Sequence, residues 1–178
     1  MSESEERKTP SLAGSPRVTD HDPITGQKTD VVFTEIESPT HEQAKELLAY
    51  WQERMEKGGF VMGRDIPARQ IGHLMKHLVV REPVEGGRDF RNRLVGTVLM
   101  ERLGGDVTGL RISEVYAAAS ANALIASLKK AIDTGKPVFQ RAEVHGMVDT
   151  IRTAEGVLLP MKAPDGVTNW TLNGVFYL

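Results

Sequence analysis

The chain contains no cysteine. Disulfides, thiolate catalysis, cysteine-ligated zinc and iron–sulfur clusters are therefore outside its chemistry. It also lacks any long apolar run: no segment approaches the roughly 20 apolar residues that span a bilayer, and the N-terminal "MSESEERKTPSLAGSP" has no apolar stretch of the signal-peptide kind. Nor is there an excess of charge, with 22 Lys plus Arg against 24 Asp plus Glu. That balance gives no electrostatic reason to expect nucleic acid or an anionic membrane as partner. The expectation is a soluble, cytoplasmic protein.

What is present suits one domain, since a folded core of ~150 residues buries roughly 70% of the surface its unfolded chain exposes. Residues 1–30 are rich in Ser, Thr, Pro, Gly and charge, and read as a flexible N-terminal tail. Residues 31–178 form a single domain, with its core over about 67–178. "VVFTEI", 31–36, is β-prone and short enough to be a strand or an extended arm.

Thr40 and Gln43 have capping-box spacing, and Ala44, Leu47, Leu48, Trp51 and Met55 share one stripe. The spacing predicts an amphipathic helix over about 41–57, with Glu53 and Lys57 paired on its polar side and Gly58-Gly59 stopping it. A shorter helix follows over about 67–76, with Pro67 in its first turn. "HLVVREPV" and "RDFRNRLVG", separated by Glu85-Gly86-Gly87-Arg88, read as a hairpin in which Phe90, Asn92 and Leu94 share one face and Arg91 and Arg93 the other. Two helical turns end at Gly104-Gly105. A longer helix over 119–134 carries Ala121, Leu124, Ile125, Leu128 and Ile132 and ends at Gly135. Three strand-like segments complete the chain, the last two joined by Ala163-Pro164-Asp165-Gly166. Strands in runs separated by a block of helices indicate an α+β fold: a five-stranded antiparallel sheet with helices on one face, plus the N-terminal amphipathic helix.

Local chemistry is sparse. His73 and His77 are four apart, a spacing that can bind a metal, but no glutamate follows His73 and no third ligand is evident, so ordinary surface or half-buried histidines are expected and no metal site. Gly96, Gly104, Gly105 and Gly109 match neither a Walker loop nor a Rossmann fingerprint. Arg88, Arg91 and Arg93, with Arg81 across the hairpin, form a basic row that is either a solvated strand face or a docking patch for an acidic partner or an anionic ligand. Asn92 either bonds backbone in the helical block or anchors a ligand in an apolar pocket.

The words "RDFRNRLVGTVLMERLGGDVTGLRISEV", "AEGVLLPMKAPDG" and "YWQERMEKGG" resemble the proteobacterial single-domain PAS family over about residues 44–174. Asn92 stands where that family usually has an aromatic, Lys76 where it often has proline and Met161 where leucine is common. The resemblance implies a PAS-like sheet and a sensory or regulatory protein of bacterial signal transduction, acting by ligand or protein binding and not as an enzyme. A ligand pocket would draw on Phe90, Asn92, Leu94, Leu124, Leu128, Phe139, Met161 and Trp170, where plain core is the other reading. With Leu178 ending the last strand and no output domain following, signalling in trans to a partner protein is expected. Trp51 is a candidate anchor for that partner or a homodimer, unless it packs on its own sheet, and Arg91 and Arg93 are candidates for docking. Cysteine-dependent flavin photochemistry is ruled out, haem and metal are not expected, and the cofactor is otherwise unknown. Two competing readings are a small-molecule enzyme of the isomerase or cyclase type using Asn92, His145 and Asp149, and a ligand-free structural adaptor.

Overall fold

Continuous apolar runs such as "LVV" and "VLLPM" place side chains on both faces of a strand, which requires a sheet covered on each side. In the computed structural model, which describes residues 27–145 and 151–178, the strands are β1 (Asp30–Ile36), β2 (Leu78–Val84), β3 (Asp89–Val95), β4 (Val138–His145), β5 (Ile151–Lys162) and β6 (Asn169–Tyr177). They form one antiparallel sheet in the order β1-β4-β5-β6-β2-β3. The α+β class is the expected one. The sheet has six strands in place of five because "DVVFTEI" is a strand, pairing along β4 from Asp30 opposite His145 to Ile36 opposite Phe139. Residues 28 and 29, read as part of the tail, are also held: Lys28 Nζ donates to Ser113 O at 2.8 Å and Thr29 N to Val115 O at 3.0 Å. Asp30 begins β1, and residues 1–26 of that tail lie outside the described residues.

Helices α2 (Thr97–Leu103), α3 (Ile112–Val115) and α4 (Ala118–Thr134) cover one face. There Ala121, Leu124, Leu128 and Ala131 of α4 pack with Val79, Phe90, Val138, Ala154 and Leu158 of the sheet. Helix α1 (Glu42–Glu56) covers the other face, burying Ala44, Leu47, Tyr50 and Trp51 against Val80, Val157, Leu159, Leu172 and Phe176. The short helix expected near 67–76 is a 3-10 segment, Arg69–His77, and packs on this same side. Gly174 lets α1 approach, since a Cβ there would lie 2.6 Å from Leu47 Cδ2.

The start of α1 departs from the expected capping box. His41 is the cap, its Nδ1 accepting from Gln43 N at 3.2 Å, and Thr40 turns to the sheet instead. Glu155, fully buried on β5, accepts from Thr40 N and His41 N at 2.8 Å each and from the Thr40 hydroxyl. A buried carboxylate so bonded satisfies the backbone donors of the cap residue and of the residue before it, tying the start of α1 to the sheet.

The hairpin departs from simple alternation. Val80 pairs with Leu94 but Arg81 pairs with Asn92, so Arg93 is an extra residue in β3. Such a bulge shifts the strand's phase. Phe90 and Asn92 therefore face α4, whereas Leu94 joins Val80 on the α1 face. Just beyond, Gly96 is obligatory, because a Cβ would stand 2.3 Å from Lys76 O.

Candidate functional site

Between the sheet and α4 the packing is incomplete. A cavity of about 370 Å³ is walled by β1, the inner faces of β4 to β6, α2 and α4. Its apolar lining includes Val31, Leu99, Leu124, Ala142 and Leu158, and its polar lining includes Arg81, Tyr116, Gln140 and Asn173. Ligand cavities run from ~300 to 1,000 Å³ with a few placed polar groups in an apolar wall. Arg102 and Arg152 also line it and are exposed, so they mark where it meets solvent. Arg102 lies over the Tyr177 ring at 4.8 Å.

Two features of the sequence make this space. Small residues, Ala142, Ala154 and Gly156, stand on adjacent strands where larger ones would fill it. Gly156 leaves room for its cross-strand neighbour Gln140, whose Cγ would be 3.0 Å from a Cβ there. Strand β1 closes the side: Val31 N donates to Ser120 Oγ at 2.8 Å, which in turn donates to Asp30 Oδ1 at 3.0 Å.

Arg81 is the unusual group. It is 3% exposed; its Nε donates to Asn92 Oδ1 and its Nη1 to Asn173 Oδ1, both at 2.9 Å. Among the described residues no carboxylate forms an ion pair with it. Burial pulls the guanidinium below its ordinary pKa, with the adjacent Tyr116 hydroxyl opposing. Arginine nevertheless stays charged in proteins, and an uncompensated buried ion costs several kcal/mol of desolvation. Burial likewise pushes the Tyr116 phenol up, against the pull of Arg81, so it remains a donor. Gln140 Oε1 and Asn173 Nδ2 are buried and have no hydrogen-bond partner among the described residues. Buried polar atoms without partners are uncommon and need a reason.

Asn92 holds this arrangement to the helical block. Its Nδ2 donates to Val107 O at 3.1 Å, its backbone N to Leu110 O at 3.0 Å, and its backbone oxygen accepts from Gly109 N at 2.8 Å. Asp106 Oδ1 fixes the same loop by accepting from Thr108 N at 2.8 Å. The DVTG word thus shapes a loop that grips β3 and, through Asn92, orients Arg81.

A family model described as PAS domain matches residues 39–176. The chain belongs to the PAS domain family. No curated protein and no solved structure matches it. In this PAS domain the helical block with α4 and the sheet enclose the cavity, and β1 adds a strand at the edge beyond the matched region.

The residues singled out from sequence fall in several places. Leu124 lines the cavity, and Leu128 and Phe90 are fully packed in the core beside it. Asn92 lies behind Arg81 and does not line the wall. Leu94, Phe139, Met161 and Trp170 belong to the opposite face, with α1, so they cannot share a pocket with Leu124. For Leu94 the cause is the bulge; for the others it is strand parity. Trp51 packs on its own sheet, 5% exposed, and donates from Nε1 to Pro160 O at 2.7 Å, which removes it as a surface anchor. Arg91 and Arg93 are on the surface, 3.9 and 3.6 Å from Glu82, with Arg93 also over the Trp170 ring. Arg81 is not part of their row. His73 pairs with Glu46 at 2.9 Å and His77 lies against Phe176, so the two histidines serve different contacts. His145 is exposed at the end of β4, and Asp149 lies outside the described residues.

Arg81, Tyr116, Gln140 and Asn173 were missed as site residues. Strand phase would have found Gln140, which is in step with the buried Val138 and Ala142; Asn173 is in step only with the half-buried Val175, and Arg81 follows an apolar run that hides its phase.

Proposed function

We propose that this PAS domain is a sensory or regulatory module that acts by binding, taking a small molecule into the cavity beside α4 and passing the signal to a partner protein. Such a role fits cytoplasmic signal transduction in a bacterium. The observation that carries the reading is the cavity itself, an apolar chamber whose wall contains buried polar atoms without partners. A filled core would favour the structural adaptor, and an enzyme would need free acid–base groups converging on the space. Asn92, offered for that role, has both side-chain atoms engaged.

Output follows from what borders the chamber. Helix α4 and strand β1 are tied together through Ser120, so a ligand that moves α4 also moves the sheet edge. Partner binding at that edge would then depend on occupancy. A thermal-shift screen of the protein against a metabolite collection tests the first half of this reading. A compound that binds the folded state alone must raise the melting temperature. Retention of cellular proteins on the immobilised chain, with and without such a compound, tests the second half. Retention of the same proteins in the same amounts either way would break the link between cavity and partner.

A further inference from the structure

The reading of the cavity as a ligand site leaves the ligand's chemistry open, and the buried polar groups narrow it. Arg81 is bonded to two amide oxygens, those of Asn92 and Asn173. Both are neutral, so the guanidinium's hydrogen bonds are partly satisfied while its charge is not balanced by any ion pair among the described residues. A structural role alone would be met by a neutral donor at this position.

The orientation of Asn173 follows from the same contact. Arginine has no acceptor, so the atom it touches must be the amide oxygen, and Nδ2 is the half left over. That Nδ2 is buried and has no partner among the described residues. A guanidinium and an amide N–H donor therefore stand side by side, with the Tyr116 hydroxyl adjacent to the guanidinium. Leu99, Leu124 and Leu158 supply an apolar stretch of the lining, and Gln140, whose Oε1 has no partner among the described residues, is a further polar group in the wall. At the solvent end Arg102 and Arg152 add positive charge, which raises the local concentration of anions.

We propose that the cavity takes a small organic carboxylate, its carboxylate group bound by Arg81 and Asn173 and its apolar body lying against Leu99, Leu124 and Leu158. The proposal rests on the cavity being a ligand site. A carboxylate supplies in one group the counter-charge to Arg81 and the acceptor that Asn173 Nδ2 lacks, and a planar pair of oxygens suits a guanidinium. A fully hydrated inorganic anion would leave the apolar wall unused.

Calorimetric titration of the full chain with octanoate and phenylacetate, with octanol and phenethyl alcohol as neutral counterparts and inorganic phosphate as a further arm, tests both levels. The acids are expected to bind at least about tenfold more tightly than the matching alcohols, and Arg81→Met is expected to erase that preference. Equal binding of acid and alcohol, binding of phosphate alone, or a preference that persists in Arg81→Met overturns the carboxylate proposal and leaves the cavity as a ligand site. Failure of all these probes to bind overturns both. Should Arg81→Met not fold, Arg81→Lys carries the test, because it keeps the charge but not the bonds to both asparagines. Its affinity for the acids is expected to fall while that for the alcohols holds, and unchanged acid binding overturns the proposal.

Discussion

Leu158 and Leu159 are neighbours in β5, yet they look into different environments. Leu159 faces a solid cluster where Leu47, Trp51, Leu172 and Phe176 close around it. Leu158 faces a chamber shared with Arg81, Gln140 and Asn173. On the α1 side the buried carboxylate Glu155 is bonded to the chain segment leading into α1, and the buried Asp65 accepts from Val61 N. Arg81, buried on the α4 side, has neutral partners and open space. One side of the sheet thus spends its buried polarity on stability, and the other holds it at a cost, which is the pattern of a binding site.

Three substitutions grade that contrast, all read by urea unfolding. Phe176 is fully buried on the α1 side with His41 stacked at 5.3 Å, and Phe176→Ala is expected to cost about 3–5 kcal/mol. Failure to lose at least about 2 kcal/mol would mean that this side is not the solid one.

Glu155→Gln is expected to cost less, about 1.5–3 kcal/mol, because hydrogen bonds to a charged acceptor become neutral ones. The pH dependence has a definite sign. Burial pushes the Glu155 carboxyl up, but the Thr40 hydroxyl, the amides of His41 and Thr40, and Arg141 together bring it below its ordinary value. A carboxyl depressed in the folded state stabilises above its unfolded pKa, and that stabilisation is lost as pH falls through the folded value. Below the ordinary 4.5, wild type should lose stability more steeply than Glu155→Gln. Parallel acid limbs would break the assignment of Glu155 as the α1 anchor.

Arg81→Met is expected to have the smallest effect. Lost hydrogen bonds are offset by relief of a buried, unbalanced charge, leaving stability within about 1 kcal/mol of wild type or above it. A loss as large as that of Phe176→Ala would make Arg81 a structural element first.

Much of this fold was legible in the sequence. The stripe Ala44, Leu47, Trp51 and the stripe Ala121, Leu124, Leu128 gave two helices their buried sides, and glycines at 58, 59, 104 and 135 marked ends where the backbone turns left-handed. The class and the family followed from those elements and from the RLVGT and DVTG words. Strand faces were harder to read. Alternation fixes a strand's faces only while the register is unbroken, and the extra residue at Arg93 moved Leu94 to the side opposite Phe90. Where both faces are buried, a run such as Leu78-Val79-Val80 hides its phase, so Arg81 looked like part of a surface row. β1 was ambiguous because its strand character depends on β4 and on Ser120, partners about a hundred residues away in the chain. The cavity has no local signature at all, since it arises where small residues of separate strands meet.

The central claim is that one side of the sheet binds and the other only packs. It is tested most directly by methyl NMR of the leucines while octanoate is added to the full chain. The account predicts that the Leu158 and Leu124 methyl signals shift in a saturable manner while those of Leu159, Leu172 and Leu47 stay in place. Shifts at Leu159 and Leu47 with Leu158 and Leu124 unmoved would contradict it.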